Sequence, residues 1–425
     1  MERTGKALFD WRCKNILDAT NFVEPEKVPV GLDYLNWPYG YAGVTLEEVI
    51  NDPEKNAEAY CKFMDDIEID FTMNSGFYEP YDAYLALESD AYFLCEDKCT
   101  VQHRQAGHKF MTDEEYDILI NDFPYFSNEY FPKTHVPAFK RPKKEALEML
   151  KKAAECTARA SRVSDLIAEK AICDHQIIPL WGCGAPAAMD ATSMDNRSER
   201  EKRIAAFGMR DYSSMYYAPI DYLFDKYRGM ENVFIDLYEN EDKLSAACDA
   251  IWNHLKTAMP PIPTHEFLDK PFPMGATVYH CAPYLTPEQY DKYWFQGFKE
   301  QMLPLAEKGL KIYLKGESSF LHIIERFKEF PKGSIVIQLD SDDPIAANKL
   351  IGGYQTLCTG MRTAMLMYYD KQKVFDHIKR MFDELAPGGG FMFYQDMPLF
   401  SPGDAKPEVV REVWEFVNEL SRGRG

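Results

Sequence analysis

Proton donors and metal-ligand types recur just beyond the apolar runs of this 425-residue chain. His280 and Cys281 close MGATVYHC, Lys315 and Glu317 close LKIYLKGE, and Asp396 ends FMFYQD. Asp340 ends SIVIQLD, with Asp342 and Asp343 close behind, while Asp33, Tyr34 and Asn74 follow two earlier runs. A carboxylic acid or imidazole can move a proton or ligate a metal, and a lysine can stabilise an oxyanion. Glu317 is the leading candidate, because no cap or turn accounts for a carboxylate straight after LKG. Asp343, ahead of PIAANKL, reads as a helix N-cap. His280 also has a structural reading, as a hydrogen-bonded strand-end residue. The expected catalytic set is therefore Glu317, Asp340, His280 and Lys315, with Glu317, His280 and Asp396 as the candidate metal ligands.

Aromatic residues cluster in three stretches read as loops, DYLNWPYGY, GFYEPYDAY and RDYSSMYY, where a core does not need them. Such side chains line apolar pockets and supply orienting hydroxyls. Tyr34, Trp37, Tyr39, Asn74, Phe77 and Tyr279 are the expected substrate contacts. CEDKCTVQH places Cys95, Cys99 and His103 at four-residue steps, a metal-like spacing. Its surroundings read as strand-like pieces of an insertion, so local structure is the better account.

These candidates need a scaffold that brings strand ends together. The last third of the chain alternates strand and helix with short connections, from MGATVYHC (274–281) through LKIYLKG (310–316), SIVIQLD (334–340) and TLCTGM to FMFYQD and the helix KPEVVREVWEFVNEL. SSFLHIIERFKEF reads as one of the intervening helices, and RGMENVFIDLYENEDKLSAACDAIWNHL carries another. KVPVGL (27–32), EIDFTMN (68–74) and QIIPLWGCG (176–184) continue the pattern backwards. Alternation of this kind means parallel strands with crossover helices. A count near eight favours a (β/α)8 barrel of the TIM type over an open doubly wound sheet, and places chemistry at the C-terminal strand ends. Residues 75–140 read as an insertion after the second strand of a single domain spanning 1–425.

The glycines of APGGGFMFYQD (386–396) pose a separate question. A phosphate-binding loop follows a strand and opens a helix. Here a helix precedes and a strand follows, so Gly388–Gly390 read as a helix terminus using left-handed conformations.

Bulk composition narrows the class. A formal net charge of −20 repels phosphate backbones and argues against nucleic-acid binding. No stretch reaches the roughly 18 uninterrupted apolar residues of a membrane span, and the N-terminus lacks a signal-peptide core. Ten scattered cysteines form no disulfide framework, so reduced thiols and a cytoplasmic location are expected.

Taken in order, PEKVPV, YAGVTLEEVINDPEKNAEAY, YLTPEQYDKY, KIYLKGE, IVIQLDSDD and APGGGFMFYQD followed by KPEVV resemble the uroporphyrinogen decarboxylase superfamily across nearly the whole chain. The resemblance implies a (β/α)8 barrel and two chemistries. The decarboxylase branch carries an arginine-rich motif directly after its first strand. Here that place holds DYLNWPYGYAG, and the similar string HRQAGHKF (103–110) comes too late and has His108 for the second arginine. The methyltransferase branch often carries a His-x-Cys and a further Cys as zinc ligands. The corresponding positions are Tyr313 and Lys315, with Gln395 or Asp396 at the second place, so that thiolate set is absent.

The sequence most resembles the branch that cleaves aromatic methyl ethers. That resemblance implies a methyltransferase (the O-demethylase component of an anaerobic pathway) moving a methyl group from a methoxylated aromatic substrate to cobalt. The corrinoid (cobalamin) would be carried by a partner protein, with zinc a candidate cofactor and a homodimer a candidate assembly. A decarboxylase of a small acid or porphyrin-like substrate is the alternative and requires arginines at the strand ends, where none is expected. A non-catalytic ligand-binding barrel would instead present apolar strand ends.

Overall fold

The computed structural model describes residues 3–73, 80–89, 91–103, 110–180, 203, 214–258, 275–278 and 280–423. Ten strands run in chain order as β1 (Phe71–Thr72), β2 (Tyr92–Leu94), β3 (Val101–His103), β4 (Ile178–Pro179), β5 (Ser214–Tyr216), β6 (Gly275–Val278), β7 (Ile312–Lys315), β8 (Ile335–Gln338), β9 (Thr356–Met361) and β10 (Phe391–Gln395). Six of them form one parallel sheet in the order β10-β9-β8-β7-β6-β5. Beyond β10, Val30 bridges to Phe393 and Gly31 to Phe71, and β1 pairs in parallel with β4. Parallel pairing therefore runs unbroken from β5 to β4 through nine strand positions. Residues 181–202 and 204–213, which lie between β4 and β5, are outside the described set.

The ninth position is β5. It lies in RDYSSMYY, a stretch whose aromatic residues suggested a loop. Tyr216 at its end is fully buried and donates its hydroxyl proton to the Trp294 carbonyl at 2.8 Å.

The strands are apolar on both faces, as parallel strands covered on two sides must be. Ile312, Leu314, Ile335 and Ile337 face the outer helices, within a cluster that includes Trp294, Phe298 and Phe327. Alternate residues, among them Tyr313, Val336, Cys358, Met392 and Tyr394, face the other way and meet Phe9, Ile16 and Ala19 of helix α1 (Gly5–Thr20). That second face is called inner below. Helix α1 covers the N-terminal strand ends: Arg12 bonds Asp70 and the His175 and Gln176 carbonyls, and Gly390 N–H donates to Ala19 O.

Gly388, Gly389 and Gly390 have φ of +81°, +79° and +79°, so they end the helix Lys371–Leu385 in the conformation that L-residues resist. The run SSFLHIIERFKEF departs from expectation, because only Ile324–Glu329 is helical, and as a 3-10 turn. Its first residues are pinned elsewhere, Ser318 and Phe320 donating their N–H groups to Asp340 and Asp342. The segment 230–255 is two helices, Met230–Glu239 and Glu241–Leu255, broken at Asn240.

Described parts of the 75–140 stretch pack into the outer layer, with Tyr116, Leu119, Phe123 and Phe126 beside Leu223, Val233 and Leu237. Buried Asp236 ties the two together, accepting from Tyr116 Oη at 2.7 Å and Arg228 Nε at 2.6 Å. Cys95 and Cys99 sit in the β2–β3 hairpin, whose turn is built by Asp97 accepting the Cys99 and Thr100 N–H groups. Among the described residues, no helix is long and apolar enough to cross a membrane.

Candidate active site at the strand ends

Register assembles the site. Val278, Lys315 and Gln338 are neighbours across β6, β7 and β8. Two residues further on, the same register brings His280, Glu317 and Asp340 side by side beyond the C-terminal strand ends. Nδ1 of His280 lies 3.6 Å from Glu317 Oε2. Asp340 is half-buried, and its Oδ2 accepts the Ser318 N–H at 2.6 Å. Burial pushes the Asp340 carboxyl above the usual range, and the nearby carboxylates of Asp396 and Glu317 push the same way, against Ser318 N–H and Arg362.

Glu317 stands on a constrained backbone. A Cβ on Gly316 would lie 2.1 Å from the Phe320 ring and 2.5 Å from the Gln338 carbonyl, so only glycine fits before it. Ser318, immediately after, has φ of +61°, which an L-residue adopts at a cost of about 1–2 kcal/mol. Neighbouring carboxylates hold this turn: Asp340 takes Ser318 N–H, and Asp342 takes Ser319 Oγ at 2.5 Å and Phe320 N–H at 2.9 Å. Strain kept in place by its surroundings is a mark of functional positions. Asp343 caps the helix Pro344–Ile351 through Ala346 N–H at 2.8 Å, as its position in the sequence implied.

Asp221 and Asp225 of this site carried no signal in the sequence, while Tyr217 ends the aromatic stretch RDYSSMYY. Asp225 Oδ2 is also 3.6 Å from His280 Nδ1, and Asp225 accepts the Tyr217 hydroxyl. Burial and Asp225 together hold the Tyr217 hydroxyl protonated. Asp225 lies on a π-helical turn, Leu223–Tyr227, a local widening often found at functional sites. Asp221, one turn before it, is fully buried and accepts Cys281 N–H at 2.8 Å and Trp294 Nε1–H at 3.1 Å. Burial raises its pKa to about 7, against the opposing pull of His280. Had SMYY been read as a strand, PIDYLFDKY behind it would have stood out as a strand-end segment with carboxylates four residues apart.

One layer below, on the inner face, lies a second polar group. Lys315 is partly buried and makes no hydrogen bond or ion pair with another described residue. Asp33 is fully buried, and its Oδ1 has no hydrogen-bond partner among the described residues. Burial pushes the Asp33 carboxyl up, opposed first by Lys315 and then by Gln338, the Tyr34 N–H and the Tyr394 hydroxyl. Gln338 is clamped beside them, accepting from Tyr313 Oη at 2.5 Å and donating to Gln395 O at 3.2 Å and Asp33 Oδ2 at 3.5 Å.

Other expected positions fall elsewhere. Asp396 does not join Glu317 and His280: its Oδ1 takes Thr363 N–H and Met397 N–H, and its Oδ2 faces Arg362 at 3.5 Å. Among the described residues no group of three or more His, Cys, Asp or Glu is arranged to hold a metal ion. Arg362, directly after β9, is an arginine at a strand end where none was expected. Its guanidinium is engaged with the Asp340 and Asp342 carbonyls at 2.7 and 2.8 Å. Tyr34, Trp37 and Tyr39, expected at the substrate, are fully buried in a hydrophobic cluster. Tyr34 and Trp37 pack on Phe63, Tyr39 packs on Tyr60, and Trp37 Nε1 donates to Ala405 O. Asn74, Phe77 and Tyr279 lie outside the described residues, as does most of HRQAGHKF.

No family model matches the sequence. None of the curated proteins matches it either. In structure the chain is similar to a methyltransferase from Methanosarcina mazei, with a TM-score of 0.52 and 12% identity, over 96% of this chain and 98% of that one. The likeness at that identity is one of fold: parallel strands and helices in a shared arrangement over nearly the full length of both chains.

Proposed function

We propose that this chain is a methyltransferase, built on a (β/α)8 barrel, that moves a methyl group from a methoxylated aromatic donor to the reduced cobalt of a corrinoid on a separate protein. The observation that carries the reading is the convergence of His280, Glu317 and Asp340 at adjacent strand ends. The fold shared with a methyltransferase over nearly the whole chain supports it.

In this reading the methyl group leaves the ether without its bonding electrons, and the pair stays on the aryl oxygen. That oxygen is a poor leaving group unless it is protonated as the bond breaks. Asp340, whose surroundings favour its acid form, and Glu317, partly exposed at the rim, are the proton donors within reach of one ligand atom. His280, between Glu317 and Asp225, orients the first and returns a proton to it. Asp396, held by the Thr363 and Met397 N–H groups, takes no part in this scheme. A reduced corrinoid as cosubstrate points to an anaerobic cytoplasm as the working environment.

The test mixes the purified protein anaerobically with cob(I)alamin and a panel of methoxybenzenes, following absorbance for methylcobalamin. Methylation by any donor supports the reading. Silence across the panel, repeated with corrinoid proteins from methylotrophic anaerobes, would sink it.

A further inference from the structure

Asp33 and Lys315 are not needed for proton delivery at the rim, and their arrangement calls for a ligand. A fully buried carboxylate oxygen with no partner among the described residues is costly. Such groups persist when a ligand or water completes them. Lys315 carries three N–H donors and spends none on a described residue, and its neighbour across the sheet, Gln338, reaches Asp33 Oδ2 at 3.5 Å. Gln338, locked by Tyr313 and Gln395, fixes the back of the group and fills the other Asp33 oxygen.

We propose that Asp33 and Lys315 form a recognition point for a hydroxyl group of the donor, which gives its proton to Asp33 Oδ1 in a hydrogen bond and accepts one from Lys315 Nζ. A hydroxyl suits this pair better than a charged group. A carboxylate would face Asp33, an ammonium would face Lys315, and a hydroxyl pairs with either form of the Asp33 carboxyl. The inference rests on the methyltransferase reading only in taking the ligand to be a methoxylated aromatic.

Position sharpens the substrate class. Lys315 and Gln338 end β7 and β8, and Glu317 and Asp340 come two residues later, a step over which an extended chain covers about 6–7 Å. Substituents on opposite ends of a benzene ring span that gap, and substituents on adjacent carbons do not. The site therefore selects a methoxyphenol whose hydroxyl is para to the ether.

Titration calorimetry with 4-methoxyphenol, 2-methoxyphenol and methoxybenzene tests this without any methyl transfer. The expected order is para isomer tightest, with about a tenfold or greater margin over methoxybenzene, the scale of a hydrogen bond to a charged group. Asp33→Leu and Lys315→Met should each erase that margin, because neither leaves the hydroxyl its partner. Lys315→Met keeps the test alive should the buried Asp33 variant fail to fold. Equal binding of the para isomer by wild type and Lys315→Met, tighter binding of the ortho isomer, or no binding of any ligand would each overturn the proposal. Para-selective binding that depends on Lys315, in a protein that methylates no cobalamin, would uphold this subsite and remove the methyltransferase reading instead.

Discussion

Glu317 Oε2 and His280 Nδ1 stand 3.6 Å apart, slightly beyond hydrogen-bond length, with Asp225 Oδ2 at the same distance from the same nitrogen. A small rotation of the imidazole decides which carboxylate it serves. Resting geometry of this kind tightens in a ligand complex, as catalytic hydrogen bonds commonly do. Glu317 is the member at the rim, so it is the one placed to meet a ligand.

Glu317→Gln keeps the shape of that side chain and removes its proton. Methyl transfer to cob(I)alamin is expected to fall by about a hundredfold or more, the usual contribution of a general acid. Ligand affinity by calorimetry should change little, because the lost interaction belongs to the transition state. A variant that retained most of its rate would move the acid to Asp340.

Asp342 and Asp343 are adjacent acids with different work, which makes them a matched pair. Asp343→Ala removes a helix cap and should cost about 0.5–2 kcal/mol of stability with no change in turnover. Asp342→Ala frees Ser319 and Phe320, which hold the turn carrying Glu317, and should lower the rate as well. Urea unfolding and the methylation assay, run on both variants, separate the two effects. Equal kinetic effects would mean the turn does not depend on Asp342.

Much of this site could be read from residue order, and what was missed has physical causes. Strand ends betray themselves by an apolar run that stops at a charged group, which is why Glu317, Asp340 and His280 stand out in the sequence. Asp343 followed the same logic, since capping is local chemistry. The burial of Tyr34, Trp37 and Tyr39 is not legible in the sequence, because aromatic residues between turns look alike whether they line a pocket or fill a core. Their burial is decided by Phe63 and Tyr60, which lie more than twenty residues along the chain. Asp221 and Asp225 were missed because β5 is a three-residue strand inside an aromatic run. Asp33 was visible as a strand-end acid, but its orphaned oxygen depends on Gln338 and Lys315 from strands far along the chain.

Core placement of Trp37 makes its own prediction. Trp37→Ala should destabilise the protein by about 3–5 kcal/mol, the cost of emptying a buried aromatic site. Affinity for methoxybenzene in the folded variant should be unchanged. A stable Trp37→Ala protein with weakened ligand binding would return this residue to the substrate pocket.

Asp221 sets a pH dependence whose sign follows from its burial. Folding raises its pKa from the ordinary 3.8 to about 7, so the folded protein holds a proton that the unfolded chain releases. That contribution to stability is complete below 3.8 and declines as pH rises toward 7. The loss is up to about 4 kcal/mol, at no more than about 1.4 kcal/mol per pH unit. Asp221→Asn keeps an acceptor for the Cys281 and Trp294 N–H groups and does not ionise. Wild type should therefore lose stability relative to Asp221→Asn between pH 5 and pH 7 in paired urea titrations. Parallel curves for the two proteins would show that Asp221 is already ionised in the fold.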